Sequence, residues 1–261
     1  LTCETETRQT NKLPRKVTYA DTNVTIRGRE LVDSRLFVAF RDELHYRFFN
    51  PQSPILCIHG YRQNADLFRE KTGAFRKKLK KSCDFVFFTA PNMIGPDSGN
   101  GWWFSGPDNH FKAQDDSDYD RGFVESLEAL KHVIKQEEPF DGILAFSQGA
   151  AFMLMVQLLL KSGQFVCETF QPKFSILVAP FLSRSRQHLP LFEHKTDIPT
   201  LVVYGRADEV IPEGMSRETL PLFEPPATVF VHNGGHHIPT DLDAKVAYQE
   251  FLLRFSDNSV T

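Results

Sequence analysis

The sequence predicts an α/β protein in which a mostly parallel sheet is covered by helices on both faces. Two observations carry this. Short apolar runs alternate with longer amphipathic stretches, the rhythm of repeated strand–helix–strand units. The runs are also apolar at consecutive positions instead of every second one, as expected of parallel strands buried on both faces.

The first such run is Pro54–Ile58, a buried strand that ends in the loop His59-Gly60. Leu67 to Lys81 has helical spacing, with Leu67, Phe68, Phe75 and Leu79 on an inner face and lysines outside. Asp84–Thr89 is a second strand, stopped by Pro91. Residues 92–118 are rich in Gly, Pro, Asp and aromatics, and are too long for a plain connection; loops of this length tend to be lids or pocket walls. Tyr119 to Glu138 repeats Phe123, Leu127, Leu130 and Ile134 at helical spacing until Pro139. Gly142–Phe146 is a strand, and Gln148–Lys161 an apolar helix closed by Gly163. Further strands are expected at Phe174–Ala179, Thr200–Tyr204 and Ala227–His232, with a closing helix over Asp241–Phe255. The first fifty residues break the rhythm. Residues 1–52 are expected to be a partly ordered N-terminal extension, with an edge-strand candidate at Tyr46–Phe49, ahead of a single domain over 53–261.

Bulk properties exclude several classes. The 261 residues are 41% hydrophobic, enough for a sizeable core, and a net charge of −3 gives no basic stripe for nucleic acid. No apolar run reaches the ~18 residues of a membrane span, and the polar start at Leu1 lacks the apolar centre of a signal peptide. Cys3, Cys57, Cys83 and Cys167 are scattered and form no disulfide framework. A reducing compartment is therefore expected, cytoplasmic with the nucleus also open.

The chemistry concentrates at strand ends. Ala145-Phe146-Ser147-Gln148-Gly149 lies between a strand and an apolar helix, and approximates the G-x-S-x-G nucleophile elbow. Such a turn lifts the serine hydroxyl clear of the sheet edge, next to a helix N-terminus that favours a developing oxyanion. The competing reading is a serine that merely caps the helix. A serine nucleophile needs a base. His232, His236 and His237 compete for that role, and His236 is preferred because Gly234-Gly235 allows the chain to turn sharply just before it. Between serine and histidine, Asp208 follows a strand end and suits the supporting acid; Glu209 is its neighbour, and Asp197 lies ahead of the strand, at the wrong end. The loop His59-Gly60-Tyr61 follows the first strand, so the backbone N–H of Tyr61 is expected to join that of Gln148 as an oxyanion donor, with His59 structural.

No metal is expected, because the histidine cluster lacks carboxylate ligands at helical spacing. The acidic run Asp115, Asp116, Asp118 and Asp120 lacks the glycine and spacing of a calcium loop, and is read as a solvated helix start.

Taken together, these segments resemble the FSH family of serine hydrolases, a group with the α/β-hydrolase fold. The matching residues are His59-Gly60-Tyr61-Arg62-Gln63-Asn64, Phe140-Asp141-Gly142, Phe146-Ser147-Gln148-Gly149-Ala150, Gly205 with Asp208 and Pro212, and Gly234-Gly235-His236 with Pro239. Trp103-Phe104 is similar to an aromatic element of the family's pocket loop. The resemblance runs from about Pro54 to the end. It implies nucleophile, acid and base at Ser147, Asp208 and His236, and esterase or thioesterase activity on a small-molecule acyl substrate without a cofactor. Ala145 stands where the family has glycine, and residues 1–52 have no counterpart in its short members. Trp102, Trp103, Phe104 and Phe111 are expected either to line an apolar acyl site or to fasten a long loop to the sheet. An acyl thioesterase of the same fold and a non-catalytic binding module are the alternatives.

Overall fold

A computed structural model of the chain describes residues 54–79, 83–137 and 139–255. The extension expected over residues 1–52 lies outside the described residues. In chain order the strands are β1 (Pro54–Ile58), β2 (Asp84–Phe88), the short β3 (Asn92–Met93) and β4 (Asn100–Gly101), β5 (Gly142–Phe146), β6 (Phe174–Val178), β7 (Thr200–Gly205) and β8 (Thr228–His232). Six of them form one sheet in the order β2-β1-β5-β6-β7-β8, with every pairing parallel. The expected α/β architecture is borne out.

The helices are α1 (Ala65–Lys71), α2 (Gly73–Leu79), α3 (Phe123–Glu137), α4 (Gln148–Lys161), α5 (Glu213–Arg217) and α6 (Leu242–Leu252). Alternation along the strands assigns them to faces. Leu56, Ile58, Ile143 and Ala145 pack with α3 and α4, whereas Ile55, Cys57, Leu144 and Phe146 pack with α1, α2 and α6. Helix α4 is apolar almost all round because it is buried almost all round. Its interior Gln157 is satisfied there, donating to Ser175 Oγ (3.0 Å) and accepting from Thr196 Oγ1 (3.2 Å).

The strand order reverses between β1 and β5, since β2 follows β1 on one side and β5 joins on the other. Loops leaving two adjacent strand ends at such a point diverge and leave a crevice, where open α/β sheets hold their ligands. The β1 loop and the serine turn after β5 meet there.

Three expectations change. The helix expected from Leu67 to Lys81 is divided at Thr72, whose hydroxyl donates to Phe68 O (2.7 Å) and whose neighbour is the poor helix former Gly73. The helix expected from Tyr119 starts at Phe123, after a turn closed by Phe123 N–H to Asp120 O (3.0 Å). The acidic run therefore precedes α3 instead of starting it. Asp115 pairs with His110 and Lys112, and Asp118 with Arg186. The 3-10 segment Arg186–Glu193, α5 and the β3–β4 hairpin were not anticipated; all are too short for a periodic pattern to stand out.

Candidate active site

Ser147 takes φ 54° and ψ −122°, a strained conformation for a residue with a side chain. The strain is held from both sides. Its N–H donates to Val178 O on β6 (2.8 Å), and its carbonyl accepts from Ala151 N–H in the first turn of α4 (3.0 Å). Gly149 allows the turn to close: a Cβ there would lie 2.3 Å from His59 O, so any side chain would push the β1 loop away.

That loop is fastened by His59. Its Nε2 accepts the Ala90 N–H (2.9 Å), leaving Nδ1 to donate to Gly60 O (2.7 Å), while its carbonyl accepts Trp102 Nε1–H (2.7 Å). Burial holds the His59 pKa down at about 4, so the ring is neutral and structural. Gly60 brings the loop beside the serine, the site of a Cβ on it lying 3.3 Å from Ser147 Cβ. Among the described residues, neither Tyr61 N–H nor Gln148 N–H donates to a protein acceptor.

Asp208 sits in the loop after β7. Its Oδ1 accepts the N–H groups of Val210 (2.9 Å) and Ile211 (2.8 Å), which aims Oδ2 at His236 Nδ1, 2.7 Å away. Burial pushes this carboxyl up, but the bonds from His236, Ile211 and Val210 outweigh it and leave its pKa below the ordinary value. His236 Nε2 is 2.9 Å from Ser147 Oγ. The acid and base loops are joined by Arg206 N–H to His232 O (2.8 Å) and Ala207 N–H to Gly234 O (3.2 Å). Gly205 permits that approach, because a Cβ there would be 2.2 Å from Gly234 O. Serine, imidazole and carboxylate thus form one hydrogen-bonded chain, with the Asp208 side chain 1% and the His236 side chain 18% exposed.

The family described as "Serine hydrolase (FSH1)" matches residues 49–248, which include every residue of this chain of contacts. The chain belongs to that family. Among the relatives of this serine hydrolase, Esterase OVCA2 of Danio rerio is 43% identical over 222 residues, covering 77% of this chain and 96% of the relative. Esterase OVCA2 of Xenopus tropicalis is 38% identical, covering 77% and 92%. The fold is shared with the crystal structures of esterase PE8 (TM-score 0.55, 21% identity, 78% and 93% of the two chains) and Zea mays acyl-protein thioesterase 2 (TM-score 0.57, 17% identity, 78% and 94%).

The rival residues of this serine hydrolase lie elsewhere. Asp197 pairs with Lys161 (2.6 Å), at the opposite end of the sheet, and Glu209 is exposed. His232 is buried, with Nδ1 accepting the Gly234 N–H (3.2 Å), and His237 is exposed. Among the described residues, no group of three or more His, Cys, Asp or Glu could hold a metal, and no helix is long and apolar enough to cross a membrane.

Of the two expectations for the aromatics, burial of three of them fits the fastening of the long loop. Trp102, Trp103 and Phe104 are at most 2% exposed and belong to the interior. Trp102 stacks on Phe152 (4.8 Å between centroids), Trp103 packs edge-on to Phe111 and Phe123, and the Arg121 guanidinium lies over Phe104. Rings this large release most free energy when fully buried, and here they fasten the long loop to the sheet. Phe111 is half-buried against Tyr61.

A second fastening escaped the sequence. The Gln148 side chain is fully buried and grips the same loop twice, accepting Trp102 N–H (2.9 Å) and donating to Trp103 O (2.7 Å). Beside His236 lies a cavity of about 330 Å³, walled by Gln63, Phe68, Lys71, Phe146, His236, His237 and Ile238.

Proposed function

We propose that the protein hydrolyses carboxylic esters through an acyl-enzyme on Ser147. The supporting observation is the chain Asp208–His236–Ser147, with contacts of 2.7 and 2.9 Å. His236 takes the Ser147 proton as Oγ bonds to the acyl carbon, and Asp208 stabilises the imidazolium. The tetrahedral oxyanion is met by the N–H groups of Tyr61 and Gln148. As it collapses, the bond from the acyl carbon to the leaving oxygen breaks, and His236 gives that oxygen its proton. Water, deprotonated by His236, then releases the acid and restores Ser147. Nucleophile, base and oxyanion donors all come from the chain, so the scheme calls on no cofactor.

The relatives bear the name esterase, which favours oxygen esters over thioesters. Of the four anticipated aromatics, Phe111 is the one left to meet the acyl group, beside Tyr61. The test is labelling by a fluorophosphonate probe together with turnover of short and long acyl 4-nitrophenyl esters. Wild type is expected to label and turn over, and Ser147→Ala to do neither. Equal labelling of both proteins would place the nucleophile elsewhere; a folded wild type that does neither would indicate a binding module.

A further inference from the structure

The cavity beside His236 is not accounted for by the triad or the oxyanion donors. Its place follows from the chemistry proposed above. His236 must hand its proton to the departing atom, so that atom leaves within hydrogen-bonding distance of the imidazole. A cavity with the imidazole in its wall is placed to receive the group that this atom carries away. Its volume of about 330 Å³ is that of a small-ligand pocket. Phe68, Phe146 and Ile238 make much of the wall apolar, Gln63 and His237 add polar groups, and among the described residues no carboxylate lines it.

One charged side chain does. Lys71 closes α1, where a cation suits the helix dipole, and three other cations of α1 and α2 are engaged elsewhere. Arg69 and Arg76 lie over the Phe87 ring at 4.6 and 5.6 Å, and Lys78 donates to the Thr240 carbonyl. Lys71 lines the cavity instead, and among the described residues its ammonium makes no ion pair and no hydrogen bond to a side chain. A largely apolar wall with one lysine ammonium, and no carboxylate among the described residues to oppose it, selects a group with an apolar body and a negative charge.

We infer that this cavity takes the leaving group of the substrate and that Lys71 reads an anionic substituent on it, a carboxylate or phosphate carried by the departing alcohol or thiol. The inference rests on the Ser147 esterase reading and adds a substrate class to it. Lys71 is here a specificity residue: it touches neither the acyl carbon nor the transferred proton.

The test compares two esters with the same acyl group, 4-nitrophenyl butyrate and 3-carboxy-4-nitrophenyl butyrate. The readout is the ratio of their kcat/KM values in each variant, which cancels their intrinsic reactivities. Lys71→Ala is expected to lower the ratio in favour of the neutral ester by about three- to fivefold, the size of one solvent-facing ion pair. Lys71→Glu should lower it further, and 0.5 M NaCl should bring wild type towards Lys71→Ala. Lys77→Ala, on the exposed side of α2, removes the same charge and should keep the wild-type ratio. An unmoved ratio in Lys71→Ala, an equal fall in Lys77→Ala, or a difference indifferent to salt would overturn the assignment. Wild type that labels at Ser147 but shows no Lys71 effect sinks this inference alone, whereas absent labelling sinks the esterase reading and this inference with it.

Discussion

Each carboxylate oxygen of Asp208 has its own duty. Oδ1 is fixed by two backbone N–H groups, and Oδ2 is left for the His236 Nδ1–H. An amide of the same shape would keep the first duty and fail the second, because its NH2 can donate to Nδ1 and hold the imidazole in the wrong tautomer. Asp208→Asn is therefore expected to fold normally yet lose kcat by about 10⁴-fold, the fall known for the equivalent change in a serine protease. Circular dichroism with ester turnover checks it, and retained turnover would remove Asp208 from the role of supporting acid. The order serine, acid, histidine was legible because each residue follows a strand, and strand ends can be read from apolar runs. The Gln148 grip was not legible. Its partners, Trp102 N–H and Trp103 O, are backbone groups 45 and more positions away, and no local pattern marks which amide will reach them. The aromatics were read in type but not in place, since composition cannot separate a ring in a pocket wall from one fastening a loop.

At the scale of elements, the serine turn after β5 shows how a departure from a motif is absorbed. Ala145 lies where the resembled family has glycine, and its methyl is fully buried among α3 and α4 residues. The strain falls two positions later on Ser147, where hydrogen bonds to β6 and α4 hold it. The methyl thus adds packing and is not an obstacle to the turn. Ala145→Gly should lower the free energy of unfolding by about 0.5–1 kcal/mol, since glycine in a strand adds backbone entropy to the unfolded chain and removes a contact. Turnover should stay within twofold. Urea denaturation and kcat measure the two quantities, and a rise in kcat would show that the methyl does distort the turn. The inner strands β1, β5, β6 and β7 and helix α4 were legible almost to the residue, because burial on all sides leaves continuous apolar runs. The break at Thr72 was hidden for the opposite reason: α1 and α2 share one apolar stripe, and the side-chain bond that parts them leaves that stripe intact.

At the scale of the whole molecule, two of the buried imidazoles among the described residues tie the loops around the site to acid stability. His59 fastens the β1 loop to Ala90, and His188 fastens the segment after β6, with Nδ1 on Ser183 Oγ (2.8 Å) and its ring against Phe123 and Trp103. Burial lowers both pKa values to about 4 from the ordinary 6.5. Asp120 Oδ2, at 3.8 Å from His188 Nε2, is too far for a hydrogen bond that would offset this, and burial raises that carboxyl in turn. Below pH 6.5 the unfolded chain binds protons that the folded rings refuse, so stability falls as pH drops from about 6.5 towards 4 and is unaffected by these groups above that window. By pH 5 the loss is on the order of 2 kcal/mol per histidine. His188→Gln removes one titration while keeping a polar side chain near Ser183. Whatever the substitution does at pH 7, the drop in unfolding free energy between pH 7 and pH 5 should shrink by on the order of 2 kcal/mol. Urea titrations of both proteins at the two pH values decide it: equal drops would mean that the His188 imidazole is protonated as readily inside the fold as in water, and that the segment after β6 opens to admit the proton.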